Sequence, residues 1–240
     1  RPGTPMQPNR QSPLVSVLQT LVPQASEDRL FTLMCHAAGV QPEEARAAIR
    51  QSLVHPDAMV TVAAGTNPAA VGEYAHLLSR TGHRDQLPSL CTPHALEGLR
   101  NSPDPRGLAH VVAALASPPL SPQEGRILSE LLTADTVARA ARSGDAGIIS
   151  AVAFAVPLME EPGRTNAARA LAAETQTCLH TVVAQGDAFA ARHLWAVAPC
   201  LPEAEQPGHR ARCLWPPALG LMAQAADAGT VRELVTAAST

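Results

Sequence analysis

Short apolar stretches with helical periodicity alternate along the chain with polar punctuation, and the punctuation follows a fixed grammar. A small polar residue followed by proline opens a stretch, as in Ser12-Pro13, His55-Pro56, Asn67-Pro68, Thr92-Pro93, Asp104-Pro105 and Ser121-Pro122. Such pairs read as an N-cap and the first helical position: the side chain accepts from a free N–H, and proline gives up an N–H that has no partner there. Ser121-Pro122-Gln123-Glu124 has the spacing of a full capping box. Gly39, Gly65, Gly82, Gly144, Gly186 and Gly229 stand where the apolar period stops, which predicts left-handed C-caps. The pattern predicts about 12 to 15 helices of two to four turns each. No run of alternating β-branched residues lies between turn signals, so no strand is predicted. The apolar stripes nominate Leu30, Leu33, Leu77, Leu78, Leu96, Val112, Leu115, Leu128, Leu131, Val152, Leu171, Leu194 and Leu221 for the core. Prolines at 199, 202, 207, 216 and 217 predict a loop over 199–217 that holds at most a short helix.

The chain also resembles itself. Thr92, Leu96, Ser102, Asp104, Gly107, Leu108, Val112 and Pro118 recur as Thr133, Val137, Ser143, Asp145, Gly147, Ile148, Val152 and Pro157. Gly144-Asp145-Ala146 and Pro157 return as Gly186-Asp187-Ala188 and Pro199, and Asp187, Arg192 and Leu194 return as Asp227, Arg232 and Leu234. Upstream, Pro56, Ala58, Met59 and Val62 match Pro93, Ala95, Leu96 and Leu99. The spacing amounts to about five units of about 40 residues, each a polar cap, a helix, a Ser/Gly/Asp turn, a second apolar helix and a closing proline. One amphipathic hairpin cannot bury its own apolar faces, so neighbouring hairpins must stack. The expected fold is all-α, without a sheet: antiparallel helical hairpins stacked into an α-solenoid or a compact bundle. Residues 1–12 read as a Pro-rich linker and 13–240 as one helical domain, within which 13–54 can form an N-terminal subdomain.

Composition agrees with close helix packing. The chain has 240 residues, of which 45 are Ala and 22 Pro, and aromatics make up only 2%. A net charge of −3 gives no electrostatic footprint for nucleic acid, which is therefore not an expected partner. No apolar run has membrane length without a Pro, Gly or charge, so no membrane insertion is expected. Five scattered cysteines argue for free thiols in a reducing cytosol rather than a disulfide framework. All 18 basic residues are Arg, and Lys is absent. Two explanations stand: GC-rich coding, and selection against ubiquitin-acceptor amines in a bacterial protein working inside a eukaryotic host cell.

The second helices of the units, His110–Leu115, Ser150–Pro157 and Arg192–Pro199, carry a Leu/Trp/Ala-rich motif that ends in proline. This motif resembles the helical repeats of about 40 residues found in SKWP-type plant-pathogen type III effectors and in octotricopeptide repeats, which are HEAT-like helical hairpins. The Ser-Lys-Trp-Pro signature itself is absent, replaced at the repeat ends by Val156-Pro157 and Ala198-Pro199. The effector resemblance implies a protein-binding scaffold delivered into host cytoplasm. The octotricopeptide resemblance implies RNA, which the charge disfavours.

Candidate chemistry is sparse. His209 and Cys213, four apart on one helix face, and Cys91-x-x-His94 have ligand spacing for zinc, but the pairs lie far apart and Pro93 interrupts the second. No cofactor or metal is expected. Cys91, just before the Thr92-Pro93 helix start, is the candidate nucleophile, because free N–H groups there favour a thiolate. No serine-hydrolase, phosphate-loop or zinc-protease signature occurs. The leading expectation is therefore a non-enzymatic scaffold with a protein partner, bound by Arg106, Arg192 and Arg232 in a row beside Trp195. The alternative is an E3-like enzyme of the ubiquitin system, whose missing lysines limit self-modification.

Overall fold

The computed structural model describes residues 13–225 and 228–238; the linker expected at 1–12 and Asp227 lie outside them. Among the described residues there are helices and no strand, as the periodicity predicts. The chain begins with α1 (Pro13–Leu21), α2 (Glu27–Ala38) and α3 (Glu43–Leu53). Next come α4 (Pro56–Ala64), α5 (Pro68–Arg80) and α6 (Leu87–Leu90), then α7 (Pro93–Asn101), α8 (Arg106–Leu115) and α9 (Pro122–Leu131). They are followed by α10 (Ala134–Ala141), α11 (Ala146–Ala155) and α12 (Gly163–Ala173), then α13 (Thr175–Gln185), α14 (Ala188–Ala196) and α15 (Gln206–Cys213). The chain closes with α16 (Pro216–Ala225) and α17 (Ala228–Ala238).

The polar-proline grammar sets these boundaries. His55, Asn67, Thr92 and Ser121 each cap a helix whose first residue is proline, through bonds from Asp57, Ala69, Ala95 and Glu124 N–H respectively. Ser121 and Glu124 form the complete capping box. Asp104 is displaced by one position: its carboxylate accepts from Arg106 N at 3.0 Å, and α8 starts after Pro105 rather than at it. Gly82, Gly144 and Gly186 take the left-handed conformation. Gly39 and Gly65 end their helices with negative φ, and Gly229 lies inside α17, so those three expected left-handed caps are corrected.

The repeating unit has three helices instead of the expected two. Its middle helices form a ladder in which α2 packs on α5, α5 on α8, α8 on α11 and α11 on α14, with α16 covering α14. The first and third helices of each unit pack together as a second layer: α1 with α3, α4 with α6, α7 with α9, α10 with α12, and α13 with α15. The third helices escape a search for self-similarity because they range from four residues in α6 to eleven in α3 and α12, with no shared sequence.

Small residues set the spacing of the ladder. A Cβ on Gly72 would lie 2.6 Å from Gly107 Cα, and one on Gly107 would lie 2.4 Å from Pro68 O, so α5 and α8 meet backbone to backbone. Fully buried alanines, among them Ala70, Ala153, Ala155, Ala167, Ala190 and Ala191, continue this close packing, which accounts for a core built with few aromatics. Eleven of the nominated core residues are buried, and Leu33 and Leu221 are half-buried. The region 199–217 holds the short helix its prolines allow: α15 occupies 206–213, and its His209 and Cys213 are fully buried.

Short helices leave many C-terminal carbonyls without partners, and neighbouring units supply donors. Thr92 Oγ1 donates to Ala63 O at 3.1 Å, Gln185 Nε2 to Gly144 O at 2.8 Å and Arg212 to Ala172 O at 2.9 Å. Arg139 donates to Arg100 O and Cys178 Sγ to Ala141 O. At N-termini the relation reverses. The Glu27 carboxylate accepts from Thr66 N and Asn67 N, tying α2 to the start of α5.

Candidate functional site: the outer face of the ladder

The residues nominated from sequence differ in exposure and in what they contact. Arg106 is 71% exposed at the start of α8, 4.0 Å from Asp104. It lines a cleft of about 760 Å³ with Asp135, Arg139, Arg142 and Asp145. Arg192 is half-buried on α14 and donates to Ala225 O at 3.1 Å. Trp195 is buried, with the Arg210 guanidinium 5.8 Å from its ring centroid, so this tryptophan packs the core. Arg232 is exposed on α17. Cys91 sits at the expected helix start, but burial pushes its thiol up to about 12, and this replaces the expectation of a helix-stabilised thiolate. Burial likewise pushes Cys178 and Cys213 up to about 12. No group of three or more His, Cys, Asp or Glu among the described residues is arranged to hold a metal ion.

What the ladder presents instead is two groups of polar and aromatic side chains, one between α5 and α8 and one between α11 and α14. On α5 and α8, His110 Nδ1 lies 3.3 Å from Glu73 Oε1, and the His76 and His110 rings are 5.7 Å apart. The hydrogen bond from His110 holds the Glu73 carboxyl below its ordinary range, and the same bond raises His110 against the opposing effect of its burial. Burial, helped by the charges of His110 and Arg80, lowers His76. The two imidazoles therefore titrate in opposite directions from a common starting point.

On α11 and α14, Ser150 Oγ and His193 Nδ1 share a hydrogen bond of 3.0 Å, and the Phe154 and His193 rings are 5.0 Å apart. Phe189 lies one helical turn before His193 and is 63% exposed; Phe154 is 40% exposed. Phe154, the half-buried His193 and Phe189 thus make an aromatic strip across two helices, Phe189 joining it by its i, i+4 spacing to His193. A serine bonded to an imidazole is half of an acyl-transfer device, but the nearest carboxylate on the helix does other work: Asp187 caps α14 through Ala190 N. Burial, with the Arg192 charge, lowers the His193 pKa.

Glu73 pairs with His110 and Ser150 with His193 across neighbouring ladder helices, the two bonds spanning 37 and 43 residues. The sequence signal for them was a polar residue inside each apolar second helix, one repeat apart. It is visible only once the packing of α5 on α8 and of α11 on α14 is known. Comparison of the chain with protein-family models, with curated proteins and with solved structures returns no match.

Proposed function

We propose that the chain is a protein-interaction module that recognises its partner through the Phe154–His193–Phe189 strip. One observation carries this reading. The chain has three phenylalanines, and two of them stand exposed on adjacent ladder helices, Phe154 against the His193 ring and Phe189 one helical turn before it. Exposed large aromatics on a rigid surface are the usual anchors of protein recognition. The repeat supports the reading further, because stacked helical units present extended faces suited to a partner. The module serves as a scaffold in a host-cell cytosol, a setting supported by the Arg-only basic set. GC-rich coding explains that set equally well, so the strip and not the missing lysine is the main support. A thioester-forming ubiquitin enzyme draws no support from Cys91, Cys178 or Cys213, whose thiols burial holds protonated.

The test is affinity capture from host-cell extract with the wild-type chain and with a Phe154→Ser/Phe189→Ser variant, followed by reconstitution with each purified candidate. The reading expects at least one partner that binds the wild type and loses about tenfold or more in affinity with the variant, while the variant's thermal unfolding stays unchanged. Partners that bind both chains equally would overturn it.

A further inference from the structure

A second feature of the ladder lies away from the aromatic strip and stands independently of it. Helices α2, α3, α5 and α8 surround a cavity of about 200 Å³. Met34, Leu53 and Leu77, all buried, form its apolar floor. Arg50, Glu73, His76 and His110 form its polar wall, and Ala38 lines it from an exposed position. An apolar pocket with a few convergent polar groups is the general form of a small-molecule site.

The charges around the cavity define what it would accept. Glu73 is answered within the wall by His110, 3.3 Å away. Arg50 is answered loosely: its carboxylate neighbour Glu43 is 3.8 Å away, 66% exposed, and paired more closely with Arg46 at 3.0 Å. From α2 the lining is uncharged, from α3 comes Arg50, from α5 come Glu73 and His76, and from α8 comes His110. Arg80, Asp104 and Asp145 act on the two imidazoles from outside the lining. The guanidinium of Arg50 thus reaches the wall with its neighbouring carboxylate bound first to Arg46, beside an imidazole that can donate. A guanidinium facing an apolar floor suits a carboxylate carried on a short hydrocarbon tail.

We propose that this cavity binds a small monocarboxylate with a branched apolar tail, its carboxylate held by Arg50 and His76 and its tail on Met34, Leu53 and Leu77. The probe is isovalerate, titrated into the full chain in a carboxylate-free buffer while the ring protons of His76 and His110 are followed by NMR. Saturable shifts of both rings are expected. The uncharged analogue 3-methyl-1-butanol and the variant Arg50→Gln should each bind about tenfold more weakly or worse. Ala38→Leu narrows the cavity from its exposed edge without altering the core, and should abolish the shifts while leaving the unfolding temperature unchanged. Absence of saturable shifts in the wild-type chain overturns the proposal. So does equal binding of the alcohol, or binding that survives Arg50→Gln or Ala38→Leu undiminished.

Discussion

His209 shows what a buried polar side chain requires here. Its Nε2 lies 2.8 Å from Leu194 O and its Nδ1 3.1 Å from Thr175 Oγ1. A carbonyl only accepts, so Nε2 carries a proton toward Leu194 O, while the threonine hydroxyl also donates to Ala172 O at 2.9 Å. Burial lowers the pKa from 6.5 and so favours the neutral ring. The unfolded chain therefore binds the proton more readily than the folded one. The stability contributed by the neutral ring is complete above about pH 6.5 and is lost as pH falls toward the lowered value. The urea midpoint should fall between about pH 7.5 and pH 5, and less steeply in His209→Gln. An unchanged slope in that variant would remove His209 as a source of the acid sensitivity. The thiols give a second test. Cys35 is exposed while Cys91, Cys178 and Cys213 are buried, so an alkylating reagent at mildly alkaline pH should label Cys35 first and those three only on unfolding, as read by mass spectrometry. Trp195→Ala should cost about 3–5 kcal/mol in chemical denaturation, as for a buried core aromatic. Read from sequence, Trp195 belongs to a partner-binding row; its burial was not legible because the contact with Arg210 is made by a helix that follows it in the chain.

At the scale of the helix, boundaries were legible wherever one side chain and one proline set them. The capping box at Ser121 is the clearest case; Ser121→Ala should lower stability by about 1 kcal/mol, measured by urea denaturation. The C-termini were half legible, because a glycine ends a helix either in the left-handed conformation or with negative φ. Gly65 shows why the second occurs: a Cβ there would lie 2.1 Å from the Glu27 carboxylate, so its constraint comes from another unit. Gly107 is the strictest position. Alanine usually improves a helix by about 1 kcal/mol over glycine. Here its methyl would meet the Pro68 carbonyl, which belongs to backbone and cannot turn aside. Gly107→Ala should therefore destabilise by about 1–3 kcal/mol, and a gain in melting temperature would show that α5 and α8 can move apart.

Across the whole molecule, contacts between units join near neighbours along the ladder. Proteins built this way are stabilised locally, so hydrogen exchange should be slowest in α8 and α11 and faster toward α1 and α17, a gradient mass spectrometry can resolve by segment. Equal protection along the chain would point to a single cooperative core instead. The period of about 40 residues was legible because the N-cap residues recur with it, from Asn67 through Asp145 to Asp187. The third helix of each unit was not, since its place is fixed by packing on the first helix rather than by any shared residue. The carbonyl links between units add a direction. Thr92, Arg139, Cys178, Gln185 and Arg212 all reach back toward the N-terminus, whereas Arg84 and Arg192 reach forward to Leu115 and Ala225. During synthesis the earlier unit leaves the ribosome first, with those helix ends still open to water. Each unit is finished only when the next has emerged, so the growing chain carries one incomplete edge that moves along with translation.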